Sequence, residues 1–100
     1  MGKTTWFHKG YFRENNDKSC SMIYHNTEVF NLSNKIVTLR NDGFKTKTTL
    51  KRINEAFDLS CLSSWCIFQK DFVWYVRTGA GKAIEFKDGM KISVKTGQVI

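Results

Sequence analysis

The chain has 100 residues, 41% of them hydrophobic and 14% aromatic, which suits one folded domain spanning 1–100 and excludes a disordered chain or a second core. Sixteen Lys and Arg against nine Asp and Glu give a formal charge of +7. Such a field attracts polyanions, so nucleic acid is the first partner class to consider, although charge of this size also serves solubility alone.

Residues 1–13 mix the aromatics Trp6, Phe7, Tyr11 and Phe12 with Lys3, Lys9 and Arg13, and a polar turn-forming run from Glu14 to Ser19 follows. The segment 1–19 reads either as a sheet edge or as a loosely ordered N-terminal arm. Cys20 to Tyr24 favours an extended chain, and Glu28 to Leu32 alternates apolar with polar across the turn-like His25-Asn26-Thr27, which predicts a hairpin. Lys35 to Arg40 is a further β-branched run, closed by Asn41-Asp42-Gly43, whose Asp-Gly pair tolerates positive φ angles.

A helix is predicted from about Thr48 to Leu59, with Leu50, Ile53, Ala56 and Phe57 on one face and Lys47, Lys51, Asn54, Glu55 and Asp58 toward water. Its cations come first and its acids last, against the preference of the helix macrodipole. Two strands then follow, Trp65 to Lys70 and Val73 to Arg77, joined at Asp71-Phe72. After the loop Thr78 to Lys82 come Ala83 to Phe86, a turn at Lys87-Asp88-Gly89, and a cleanly alternating strand from Met90 to Lys95. The sum is an α+β fold: a mostly antiparallel sheet of about six short strands with one amphipathic helix packed on a face.

Little of this carries catalytic chemistry. Gly2-Lys3-Thr4-Thr5 and Gly79-Ala80-Gly81-Lys82 each hold a fragment of a phosphate loop, but neither has the GxxxxGK[ST] spacing or the strand-to-helix setting. Cys20, Cys61 and Cys66, with only His8 and His25 beside them, do not make a disulfide framework or the usual zinc ligand spacing. Asp42, Asp71 and Asp88 fall in predicted turns, where aspartate commonly bonds the backbone. The expectation is a protein with no catalytic residues, metal or cofactor.

One cluster does stand out. Arg40, Lys45, Lys47, Lys51 and Arg52 lie within thirteen residues, with Phe44 among them and Thr46, Thr48 and Thr49 at the helix start. Cations neutralise phosphates, an aromatic stacks on a base, and a helix N-terminus presents free amides to an anion. Arg40, Phe44, Lys45, Lys47, Thr48, Lys51 and Arg52 are therefore the expected nucleic-acid-binding residues. The competing reading has Phe44 in the core, Arg52 paired with Glu55, and the rest as a solvated edge.

Thr46-Lys47-Thr48-Thr49 running into Arg52-Ile53-Asn54, then Phe68-Gln69-Lys70, Trp74-Tyr75-Val76 and Phe86-Lys87-Asp88-Gly89-Met90, resembles a group of small accessory proteins encoded by tailed bacteriophages. The likeness covers roughly residues 24–92. It implies a viral protein made in the cytoplasm of an infected bacterium, and brings no activity or catalytic residue with it. Nucleic-acid binding is the first expectation, inhibition of a host enzyme or defence complex by protein contact the second, and a minor virion or assembly role the third. No membrane partner is expected, since no apolar run approaches the ~18 residues that span a bilayer.

Overall fold

The computed structural model describes residues 3–15, 18–43 and 45–100. Within them, period-two alternation produces nine strands, β1 (Lys3–Phe7), β2 (Gly10–Glu14), β3 (Cys20–Tyr24), β4 (Thr27–Ser33), β5 (Ile36–Leu39), β6 (Cys66–Lys70), β7 (Val73–Arg77), β8 (Ala83–Glu85) and β9 (Met90–Ser93). The helix α1 covers Lys47–Leu59, between β5 and β6. The α+β class and the antiparallel pairing stand, but the strands number nine rather than about six and divide into two sheets.

The larger sheet has the order β1-β2-β3-β4-β5-β9 and the smaller one β6-β7-β8, with every pairing antiparallel. Residues 3–14 form the β1–β2 hairpin, which adds the sheet edge through partners such as Trp6 with Tyr11 and Phe12 with Met22. Over its described part, the N-terminal segment lies at the edge of the larger sheet. Two-residue turns at His25-Asn26, Asn34-Lys35 and Asp71-Phe72 place both of their residues at positive φ, the geometry that matches strand twist.

One row of side chains crosses the inner face of the larger sheet through the paired positions Phe12, Met22, Phe30, Leu39 and Met90. All five are buried. Against this face α1 turns Thr49, Arg52, Ile53, Ala56 and Phe57. The Phe57 ring meets Phe30 edge-on at 5.4 Å between centroids and lies 5.9 Å from Trp65, which leads into β6. Fully burying each such ring contributes about 2–3 kcal/mol, so this aromatic line is a main contact between the two sheets.

A second link is polar. Asn54 donates from Nδ2 to the carbonyl of Ile67 at 3.0 Å and accepts from the Ile67 amide at 2.7 Å. Sequence periodicity placed Asn54 toward water; instead it satisfies the open edge of β6, whose outward backbone groups have no further strand to pair with.

Strands β5 and β9 are neighbours although fifty residues separate them, so the helix and the smaller sheet form one excursion from the larger sheet. Asp88 closes its neck, accepting from the amides of Asn41 at 2.9 Å and Asp42 at 3.3 Å. The basic segment leaves the sheet at this neck.

Candidate nucleic-acid interface

From the end of β5 the chain turns through Asn41, whose Oδ1 accepts from the Gly43 amide at 2.9 Å, with Asp42 and Gly43 both at positive φ. This is the turn chemistry expected of the Asp-Gly pair, and it aims the following residues at the helix start. Thr46 is the N-cap: its extended backbone precedes the helix and its hydroxyl accepts from the Thr49 amide at 3.2 Å. A second contact of 3.0 Å joins the two threonine hydroxyls.

Among the expected residues, Arg40, Lys45, Lys47 and Lys51 are exposed and Thr48 is half-buried. Lys45 and Lys47 flank the N-cap Thr46 and Lys51 follows one turn into α1, whose first turn holds no acid, while Arg40 lies at the end of β5. The cap uses the amide of Thr49, and the earlier amides precede the first helical hydrogen bond, so the helix end adds partial positive charge to the lysines. Phe44 lies outside the described residues.

Arg52 differs from the other cations. It is 8% exposed, paired with Glu55 one turn later, and its guanidinium stands 5.0 Å over the Phe7 ring of β1. Its helical position faces the sheet, so it is a structural ion pair inside the fold rather than part of the basic surface, as the competing reading had it.

Two concavities border the helix start. The first, about 260 Å³, lies on the inner side between Thr46, Thr49, Tyr24, His25, Thr27, Val29 and Asn41. Its lining is mostly apolar and the hydroxyls of Thr46 and Thr49 already bond each other, so it is not a cradle for phosphate. The second is an open groove of about 520 Å³ that sets Lys47 and Leu50 of α1 beside Gln69, Asp71 and Phe72. Here a cation and an aromatic that is 88% exposed share one surface.

The other reactive side chains are placed for structure. Cys20 is buried, Cys66 half-buried and Cys61 exposed, all with free thiols. Burial above all, then the neighbouring Glu14 and Cys61, pushes the Cys20 thiol up, which keeps it protonated and unreactive at neutral pH. Among the described residues no three His, Cys, Asp or Glu side chains are grouped to hold a metal ion, and no helix is long and apolar enough to cross a membrane.

Sequence reasoning overlooked the outward face of the smaller sheet. Phe68 and Tyr75 stack there at 5.6 Å with 26° between planes, and Arg77 lies 5.5 Å over Phe68. The signal was present in the alternation Cys66-Phe68-Lys70 against Ile67-Gln69. Both sets carry apolar residues, however, so alternation alone does not say which one faces the core.

Residues 4–93 match the profile of the family described as Kyanoviridae Gp96 protein. A match over nine-tenths of the chain shows membership: the chain belongs to this family and is a small phage-encoded protein. It extends the phage likeness to β1 and β2, beyond residues 24–92. No curated protein and no solved structure matches the chain.

Proposed function

We propose that this phage protein is a nonenzymatic accessory protein of the infected host's cytoplasm that binds nucleic acid through the basic surface at the start of α1. Arg40, Lys45, Lys47 and Lys51 contact phosphates there, and Thr48 sits at the opening of the helix. The observation that carries this reading is the exposed run Lys45, Lys47 and Lys51 at the positive end of a helix with no acid in its first turn. That order costs helix stability, and an anionic partner relieves the cost.

A salt titration of oligonucleotide binding tests it. Four phosphate contacts give a log–log slope of about −3, and Lys47→Glu with Lys51→Glu flattens it by about 1.5 while weakening binding at low salt. Equal affinity of the double variant at every salt concentration sinks the reading. Arg52 is left unchanged because reversing a buried charge perturbs the fold itself.

Inhibition of a host protein is the second reading, favoured by Trp6, which is 74% exposed on the edge strand β1. A pulldown from host lysate with and without nuclease separates the two. Nucleic-acid binding predicts that recovered material disappears on nuclease treatment, whereas a host target predicts one protein retained in both arms.

A further inference from the structure

At the tip of the β6–β7 hairpin, Phe72 is 88% exposed and adopts φ of 66°, in the left-handed region where a two-residue turn favours glycine. Neither packing nor turn geometry accounts for a phenylalanine there. An observed backbone outlier of this kind points toward function.

The surface beside it has the same character. Register places Phe68, Tyr75 and Glu85 in one row across the outward face of the smaller sheet, with Arg77 in the row on one side and Lys70 in the row on the other. The opposite face of these strands carries Ile67, Trp74 and Val76 into the core, so the aromatic row is a surface and not a core fragment. A groove of about 500 Å³ runs over Phe68, Lys70, Tyr75 and Arg77 and reaches Asp71, which also borders the groove holding Lys47 and Phe72. Gln69 lines that second groove and accepts from Trp74 on the face opposite Phe68, so the two grooves lie on the two faces of the hairpin and meet at its tip.

We infer that the β6–β7 hairpin binds single-stranded nucleic acid that passes over its tip, with bases stacked on Phe68 and Tyr75 of the outward face and on Phe72 at the tip, and phosphates neutralised by Lys70 and Arg77 on that face and by Lys47 beyond the tip. The assignment rests on the nucleic-acid reading above and names its substrate class. Unpaired bases expose the ring faces that aromatic side chains stack upon, while a duplex keeps those faces within its own stack. Cations on both sides of an aromatic row match the run of a backbone whose bases lie across it. The +7 charge favours a polyanion and opposes a second copy of the same chain. Asp71 and Glu85 are the acids of this face and confine the phosphates to the rows of Lys70 and Arg77.

The test is fluorescence anisotropy of a labelled oligothymidylate and of a duplex of equal length, on wild type, Phe72→Gly, Lys70→Glu with Arg77→Glu, and Trp6→Ala. Phe72→Gly suits the turn better than the native residue, so the fold is retained, and circular dichroism checks this. Wild type binds the single strand more tightly than the duplex. Phe72→Gly weakens single-strand binding about fivefold to hundredfold, with the salt slope unchanged. The charge variant flattens the slope, and Trp6→Ala, on the other sheet, binds as wild type does. Duplex preference with no effect of Phe72→Gly overturns this inference but leaves the basic-surface reading intact if Lys47→Glu with Lys51→Glu still flattens the slope. No binding at low salt overturns both. So does a protein that dimerises through Phe72 and takes no single strand.

Discussion

At position 52, burial decides what a cation does. A guanidinium left in a low-dielectric site without its partner is costly, and Arg52 keeps Glu55 on one side and the Phe7 ring on the other. Glu55→Ala is expected to cost about 2 kcal/mol, less than the 3–5 kcal/mol typical of breaking a buried pair, because the Glu55 side chain keeps 29% exposure. Replacing both partners, Arg52→Met with Glu55→Leu, should fall within about 1 kcal/mol of wild type. Urea denaturation of the three proteins checks the order, and a double variant less stable than Glu55→Ala would contradict it. Cys20 gives a second test at this scale. A thiol reagent at pH 7 should modify exposed Cys61 first and buried Cys20 last. Since the native thiol holds its proton more tightly than the unfolded one, stability from this residue is complete below the ordinary thiol range and falls as pH climbs through that range toward the raised native value. A Cys20→Ala variant should lack that part of the alkaline decline.

The elements follow local chemistry closely, and their departures from it are informative. Asn54 bridges α1 to the edge of β6, so Asn54→Ala leaves the Ile67 amide and carbonyl without partners and should cost about 2 kcal/mol, lowering the thermal midpoint by roughly 10 °C. A shift under a few degrees would show that water replaces the side chain. The β6–β7 hairpin runs the other way. Asp71→Asn with Phe72→Gly gives the turn its preferred residues and should raise the midpoint by a few degrees, while removing the aromatic on which the binding inference depends. A lowered midpoint in that variant would mean that Phe72 packs against its neighbours in solution. Turn sites, the capped helix start and the alternating strands were all legible in the sequence because each depends on residues a few positions apart. The β1–β2 hairpin was half legible: its aromatics and cations alternate, but only pairing with β3 distinguishes an ordered edge from an arm.

Across the whole molecule, Phe57 and Asn54 tie the larger sheet, the helix and the smaller sheet into one connected core. A single unfolding transition is therefore expected, with tryptophan fluorescence, whose change on unfolding comes mainly from buried Trp65 and Trp74 rather than exposed Trp6, coinciding with far-ultraviolet circular dichroism. Separate transitions would mean that the smaller sheet melts alone. The sequence by itself determined the α+β class, the antiparallel strands, the helix with its threonine cap, the basic segment from Arg40 to Lys51 and the likeness to phage proteins. Those features rest on composition, on short-range periodicity and on the order of motifs, all of which lie along the chain. Only the tertiary structure decided that the strands split into two sheets, that Arg52 turns inward while its neighbours stay in water, and that Asn54 seals a sheet edge. It also decided that Phe68 and Tyr75 stack on the outward face of the smaller sheet while Phe72, at the hairpin tip, shares a groove with Lys47. These outcomes depend on which apolar face is covered when distant segments compete for one core, and that choice is made by long-range packing.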